Sequence, residues 1–239
     1  MTDWNKYWDN RSKTESSAVS ASGYTQCGIT APHEIIAAMQ NDISEKLQIS
    51  PNDQMLEAGC GAGMHIKVFK PKVKKLIGTD LAFGMTVRSK KDCGINAVNS
   101  GSVSLPFKNS TFDKLLCYSV FHYFPDMNYA EKVVREFVRV VKPSGIILIG
   151  DIPDKIKIND YLNYMNKGDK INNLKDKIKY ILNSLKIKKF NLELFYKKDF
   201  FKTLNVENSL VSVLEQNYRP CRILTEMRIR FDVIIKKIK

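Results

Sequence analysis

The stretch Glu57-Ala58-Gly59-Cys60-Gly61-Ala62-Gly63, with Asp80 closing the next apolar run, decides how this chain reads. Glycine has no Cβ and tolerates positive φ, so a glycine-rich turn after a strand lets backbone approach a ligand closely. The dinucleotide fingerprint G-x-G-x-x-G needs a glycine where Met64 stands when counted from Gly59, and where Ile66 stands when counted from Gly61. The phosphate loop G-x-x-x-x-G-K-[ST] does not occur. A nicotinamide dinucleotide and ATP are therefore disfavoured. What does occur is acid-x-Gly-x-Gly-x-Gly, followed by a second acid at the end of the next run. A carboxylate at a strand's carboxyl end, in a switch-point crevice, can accept hydrogen bonds from two ribose hydroxyls, and Asp80 suits that place. Glu57 sits deeper and can help hold the ammonium and sulfonium end of a cationic ligand. Gly59, Gly61 and Gly63 let the main chain pass close beneath it.

Outward from this loop, short apolar runs alternate with helical patterns. The runs are Gln54 to Ala58, Leu76 to Thr79, Ile95 to Val98, Lys114 to Tyr118 and Gly145 to Gly150. Such alternation implies parallel βαβ units. Ile35, Ile36, Met39, Ile43 and Leu47 recur every three or four residues and stop before Ser50-Pro51-Asn52-Asp53, which predicts a helix leading into the sheet. Val133, Val134, Phe137, Val140 and Val141 predict another, ended by Lys142-Pro143-Ser144-Gly145. Trp4, Tyr7 and Trp8 fall at helical spacing, and the serine-rich stretch from Ser16 to Ser22 reads as a loop. Leu174, Ile178, Ile181, Leu182 and Leu185 share one helical face. Phe231 to Ile238 is expected to form a late strand paired with Ser209 to Leu214. The expected whole is one domain over 1–239: an N-terminal segment 1–31, a core 32–151, a helical insert 152–202 and C-terminal strands 203–239.

The 239 residues suffice for a substantial core, and 44% hydrophobic with 26% charged residues is ordinary for a globular chain. Five scattered cysteines without a C-x-x-C pair, and a polar N-terminus, imply a reducing, cytoplasmic setting without a structural zinc site. Apolar runs such as Gly145 to Gly150 are far shorter than the roughly 20 residues that cross a bilayer, so no membrane partner is expected. The net charge of +13 is uneven: thirteen lysines face five acids between Lys155 and Lys202. Such an excess can favour nucleic acid or anionic small molecules, and it also arises from lysines that are merely solvated.

Three further segments, in order, complete a resemblance. Leu105-Pro106-Phe107-Lys108-Asn109-Ser110-Thr111-Phe112-Asp113 resembles the third turn of the class I S-adenosylmethionine methyltransferases, in the group with a Leu-Pro-Phe turn. Tyr118-Ser119-Val120-Phe121-His122-Tyr123-Phe124-Pro125-Asp126 resembles their segment after the fourth strand. Val141-Lys142-Pro143-Ser144-Gly145 resembles the turn before the fifth. The resemblance runs from about Ile35 to Asp151 and implies an α/β fold with a Rossmann-like, seven-stranded, mostly parallel sheet. It also implies an antiparallel C-terminal hairpin, helices on both faces, an N-terminal helical lid and a helical insert after the fifth strand. It implies S-adenosyl-L-methionine as cofactor, touched by Glu57, Gly59, Gly61, Gly63, Asp80, Leu81, Tyr118 and Ser119, with Trp4, Tyr7, Trp8 and Tyr24 in the lid. The acid that often binds the adenine amino group in this family is replaced by Gly101, so Ser100 or Ser102 hydroxyls, or the backbone N–H of Ser102 or Val103, are the substitutes.

Methyl transfer from a sulfonium is an in-line displacement in which the protein mainly positions the reactants. A base is needed only for a poorly acidic acceptor. Among the three histidines, His122 follows the fourth strand at the carboxyl edge of the sheet and is the candidate base, while His33 and His65 read as structural. The lysine excess suggests a small anionic acceptor, such as a phosphorylated or carboxylated sugar or nucleotide-linked intermediate, methylated on O or N. The alternatives are RNA methylation, suggested by Arg219, Arg222, Arg228 and Arg230, and a cofactor-binding protein without turnover. Oligomeric state is not legible.

Overall fold

Apolar runs joined by amphipathic helices bury both kinds of surface when the runs form one sheet with helices on either side. The computed structural model describes residues 3–26, 29–157, 194–204, 206, 208–216 and 230–238. Its main sheet has seven strands: β1 Gln54–Ala58, β2 Lys75–Asp80, β3 Asn96–Asn99, β4 Phe112–Tyr118, β5 Val141–Pro153, β6 Ser209–Glu215 and β7 Arg230–Lys237. Their order across the sheet is β3-β2-β1-β4-β5-β7-β6. β1 to β5 are parallel, and β7 is antiparallel to both β5 and β6. Each of the expected runs overlaps a strand, and the late pair forms as expected.

The described helices are α1 Trp4–Thr14, α2 Ala18–Ala21, α3 His33–Leu47, α4 Met64–Phe69, α5 Phe83–Cys93, α6 Met127–Val140 and α7 Lys198–Thr203. Strand side chains alternate between two apolar layers. Leu115, Cys117, Ile147 and Ile149 join Val133 and Phe137 of α6, whereas Leu116, Tyr118, Ile146 and Leu148 join Met39, Ile43 and Leu47 of α3. Both faces are thus covered, as period-two burial of a central parallel sheet requires. Each large apolar side chain withdrawn from water contributes about 1.5–3 kcal/mol. The Asp126 carboxylate caps α6 by accepting from the Tyr129 amide at 2.8 Å.

Serine chemistry overturns one expectation. Ser16 to Ser22 contains α2 instead of loop throughout, because Ser17 caps it: its hydroxyl accepts from the Ser20 amide at 3.1 Å, while its own amide donates to the Ser20 hydroxyl at 3.2 Å. That reciprocal pair lets one helical turn form among small polar residues.

Helix α1 is tied to α5 at both ends of the contact. No side chain of its own segment caps α5, and the Asp9 carboxylate accepts from the Gly84 amide at 2.6 Å instead. In return Arg88 Nη1 donates to the carbonyls of Ser12 at 3.0 Å and Glu15 at 2.6 Å, near the carboxyl end of α1. Each helix end thereby satisfies groups the other leaves open. From this anchor α1 reaches Tyr123 beyond β4, with the Trp4 and Tyr123 ring centroids 4.6 Å apart. It therefore roofs the carboxyl edge of the sheet.

Among the described residues, no helix is long and apolar enough to cross a membrane, and Cys60, Cys93 and Cys117 carry free thiols. The apolar face of the expected insert and Arg219, Arg222 and Arg228 lie outside the described residues.

Candidate active site

The chain leaves β1, builds β2 and β3 to one side, and returns to place β4 on the other, so the switch point lies between the carboxyl ends of β1 and β4. Gly59, just past β1, has φ +76°, and a Cβ there would come within 2.4 Å of Val120 Cγ2 from the segment after β4. Only glycine allows that approach. The Gly59 and Cys60 amides donate to the Thr79 carbonyl at 2.7 and 2.9 Å, which pulls the loop toward the end of β2.

Asp80 finishes the loop. Its Oδ2 accepts from the Gly61 amide at 2.8 Å and its Oδ1 from the Ala82 amide at 2.9 Å. Burial raises its carboxyl to about 6, against the opposing pull of these two amides. An ionised carboxylate has about four acceptor sites, so acceptor capacity remains for a ligand. Glu57 differs. It is 2% exposed, its Oε2 has no partner among the described residues, and burial followed by repulsion from Asp80 pushes its carboxyl well above the usual range. A buried, unsatisfied carboxyl is costly, and a cationic donor that completes it is the matching chemistry.

These groups open onto one cavity of about 1350 Å³. A single small-ligand pocket measures roughly 300–1,000 Å³, so there is room for a second molecule. Of the residues singled out from the sequence, Glu57, Gly59, Gly61, Asp80, Leu81, Ser102, Tyr118, Ser119, Tyr24 and His122 line it, as do Trp4, Trp8 and Gly101. Gly63, Val103 and Tyr7 do not. Gly63 caps α4 at φ +86° against Ser89 and Cys93, Val103 packs on the core, and Tyr7 stacks edge-on with both tryptophans. Sequence reading missed Tyr129 and Met85 on the walls, which helical spacing alone marks as core. Asp3 and Ser22 also line it and carry no motif signal.

His122 is 5% exposed, and burial reinforced by Arg230 holds its imidazole well below the ordinary range, so it is neutral. Its Nδ1 lies 3.4 Å from Arg230 Nη1. A guanidinium only donates, so Nδ1 accepts and the ring proton sits on Nε2. In that tautomer the free nitrogen is a donor, which is unfavourable for the expected role of base. His65 is held to about 3 by burial and stacks on Phe69, in keeping with a structural place, although it reaches the cavity wall.

Residues 56–149 match the methyltransferase domain family, a span that includes the loop, Asp80, β4 and most of β5. Over that span the chain carries a methyltransferase domain. The fold of this methyltransferase domain is also that of the N-methyltransferase NodS from Bradyrhizobium japonicum, whose structure in complex with S-adenosyl-L-homocysteine superposes with a TM-score of 0.66 at 11% identity, covering 100% of both chains. The sterol 4-C-methyltransferase strm-1 of Caenorhabditis elegans is 31% identical over 139 residues, 54% of this chain and 39% of that one. The Bacillus subtilis methyltransferase YcgJ is 32% identical over 122 residues, 48% of this chain and 47% of its own. The chain spans less than half the length of these curated relatives. In the methyltransferase domain the unpartnered Glu57 carboxyl, the glycine-lined floor and the spare acceptor sites of Asp80 fit a cationic, ribose-bearing cofactor.

Proposed function

We propose that this chain transfers the methyl group of S-adenosylmethionine to a small-molecule acceptor within the cavity beneath α1. The observation that carries this reading is the pair of carboxyls on one glycine loop, Glu57 with an unsatisfied buried oxygen and Asp80 with acceptor sites to spare. Bound there, the cofactor supplies a methyl group already activated by its sulfonium. The protein supplies position. Asp80 would take the ribose hydroxyls, Glu57 the positively charged end, and Gly59 and Gly61 the close passage of the main chain. Ser102, with Gly101 beside it, would face the adenine. Trp4 and Trp8 would exclude water above the reacting groups, which favours in-line transfer to the acceptor over hydrolysis.

A second reading concerns the acceptor. Thirteen lysines between Lys155 and Lys202 favour an anionic metabolite or RNA. Of those lysines Lys155, Lys157, Lys197, Lys198 and Lys202 are described, and none lines the cavity. The case for a phosphorylated or carboxylated acceptor thus rests on charge away from the described walls.

The test is incubation of the protein with methyl-labelled cofactor and fractionated cell extract, at roughly 50 and 200 mM salt, followed by identification of the labelled product. A labelled small molecule whose yield is indifferent to salt supports the proposal. Label in RNA that falls steeply with salt supports the second reading. Tight binding of S-adenosylhomocysteine by calorimetry, with no labelled product from any fraction, identifies a binding protein without turnover.

A further inference from the structure

Two residues that are not glycine adopt positive φ side by side at the carboxyl edge of the sheet: Ser119 after β4, at 58°, and Asp151 near the end of β5, at 60°. Around Asp151 the register with β7 slips, Ile149 pairing with Val233 and Ile152 with Phe231, so β5 carries one extra residue. A bulge of this kind re-aims a side chain, and unfavourable backbone conformations concentrate where a side chain must be aimed. Here the aim is mutual. Ser119 Oγ is 2.6 Å from Asp151 Oδ2, and Tyr24 Oη is 2.7 Å from Ser119 Oγ.

The donors in this chain run one way. Asp151 is 7% exposed, its amide donates to Asp232 Oδ1 at 2.9 Å, and its carbonyl accepts from Arg230 Nη1 at 3.0 Å. The same guanidinium nitrogen lies 3.6 Å from Oδ2, balancing the charge of a carboxylate that only accepts. Ser119 therefore donates its one hydrogen to Asp151 and accepts from Tyr24. Tyr24 in turn gives its hydrogen to Ser119, which leaves only lone pairs on the oxygen of this cavity-lining residue. Burial pushes the Tyr24 phenol well up, so it stays a neutral acceptor. The walls of the same cavity also carry Trp4, Trp8 and Tyr123, with Asp3, Glu57 and Asp80 among its charged groups. No lysine or arginine is among the described lining residues. Lone pairs, aromatic rings and carboxyl groups together suit a hydrogen-bond donor that gains positive charge during the reaction.

We propose that Tyr24, backed by Ser119 and Asp151, forms the acceptor end of the cavity and selects an amine, the reading resting on the methyl-transfer function above. The free-base amine donates one N–H to Tyr24 Oη and keeps its lone pair for the methyl carbon. As the new N–C bond forms, the bond from that carbon to sulfur breaks and its electron pair goes to sulfur. Positive charge passes from sulfur to nitrogen, and the product ammonium later gives its proton to solvent. The N–H···Oη bond strengthens as nitrogen becomes positive, so the contact favours the transition state over the bound amine. Tyr24 is then a catalytic residue, and Ser119 and Asp151 are positioning residues that set its polarity.

The sequence contains two tryptophans, and Trp4 and Trp8 both line the cavity, so intrinsic fluorescence reports its occupancy. Protein saturated with S-adenosylhomocysteine is titrated with 2-phenylethylamine, 2-phenylethanol and phenylacetate, three probes matched in ring and differing in the terminal group. The amine is expected to bind saturably and at least tenfold more tightly than either other probe. In Asp151→Asn and in Tyr24→Phe, which removes a single oxygen, that preference is expected to shrink to threefold or less, with the Asp151→Asn variant still binding S-adenosylhomocysteine. Equal or tighter binding of the alcohol or the acid, no binding of any probe, or a preference unchanged in both variants overturns the proposal. Failure of the unmodified protein to bind S-adenosylhomocysteine in calorimetry instead removes the cofactor reading beneath it.

Discussion

Asp80 holds the Gly61 and Ala82 amides with one carboxyl and, in the proposed function, would offer its spare acceptors to a ribose. Because burial raises it to about 6, above the roughly 3.9 of a free aspartate, the unliganded fold binds this proton more readily than the unfolded chain does. The sign follows directly. Its contribution to stability is present below about pH 4 and lost as pH rises through 6, whereas ribose binding needs the ionised form. The affinity for S-adenosylhomocysteine should therefore weaken about tenfold from pH 7.5 to pH 5, and calorimetry on Asp80→Ala should find weak binding without that slope. The carboxyls and glycines were legible from spacing, since a ligand that needs close backbone needs glycine at fixed places. Asp151 was not. Its neighbours Ser119 and Arg230 lie 32 and 79 residues away in the chain, and nothing in a local pattern announces a bulge that turns a strand aspartate toward them.

At the scale of elements, periodicity found the strands and the long helices because each buries a continuous apolar face. It failed at α2, where Ser17 and Ser20 cap a single turn that apolar spacing does not mark. It also found α1 without finding its dock, for Asp9 and Arg88 look like any solvated charges until the helices meet. Asp9→Ala removes the side-chain acceptor of the Gly84 amide at the start of α5, and loss of such a cap costs about 0.5–2 kcal/mol. Arg88→Ala frees the carbonyls of Ser12 and Glu15. Each variant should loosen α1 first. The expected readout is a red shift of tryptophan emission and a several-fold weaker affinity for S-adenosylhomocysteine, with far-ultraviolet dichroism nearly unchanged.

Across the whole molecule, the C-terminal hairpin is locked to the first half of the chain by a buried charge cluster. Lys46 of α3 lies 2.7 Å from Asp232 of β7 and 2.5 Å from Asp42, with all three side chains almost wholly enclosed. Removing one member of a buried cluster strands the others, at a cost of about 3–5 kcal/mol. Lys46→Met should lower the thermal midpoint markedly at pH 8 and less at pH 5.5. Burial already raises the Asp232 carboxyl while Lys46 lowers it, so in the variant Asp232 takes up its proton at higher pH and the folded state regains stability as pH falls. The mostly parallel sheet with its antiparallel hairpin was expected from a resemblance, whereas this lock joins positions 186 residues apart and left no trace in the local pattern.

Three of the residues at positive φ, Gln48, Ser119 and Asp151, differ once their surroundings are compared. Gln48 simply ends α3 at 53°, and glycine there should raise the melting temperature, since left-handed backbone costs a side chain on the order of 1 kcal/mol. Ser119 and Asp151 adopt the same backbone but hold Tyr24 and Arg230 in place. A selection for heat resistance alone would accept glycine at Gln48 freely, and would be drawn toward it at the other two while erasing whatever the molecule discriminates. Backbone discomfort at the sheet edge is thus a map of where improvement by stability and improvement by function part company.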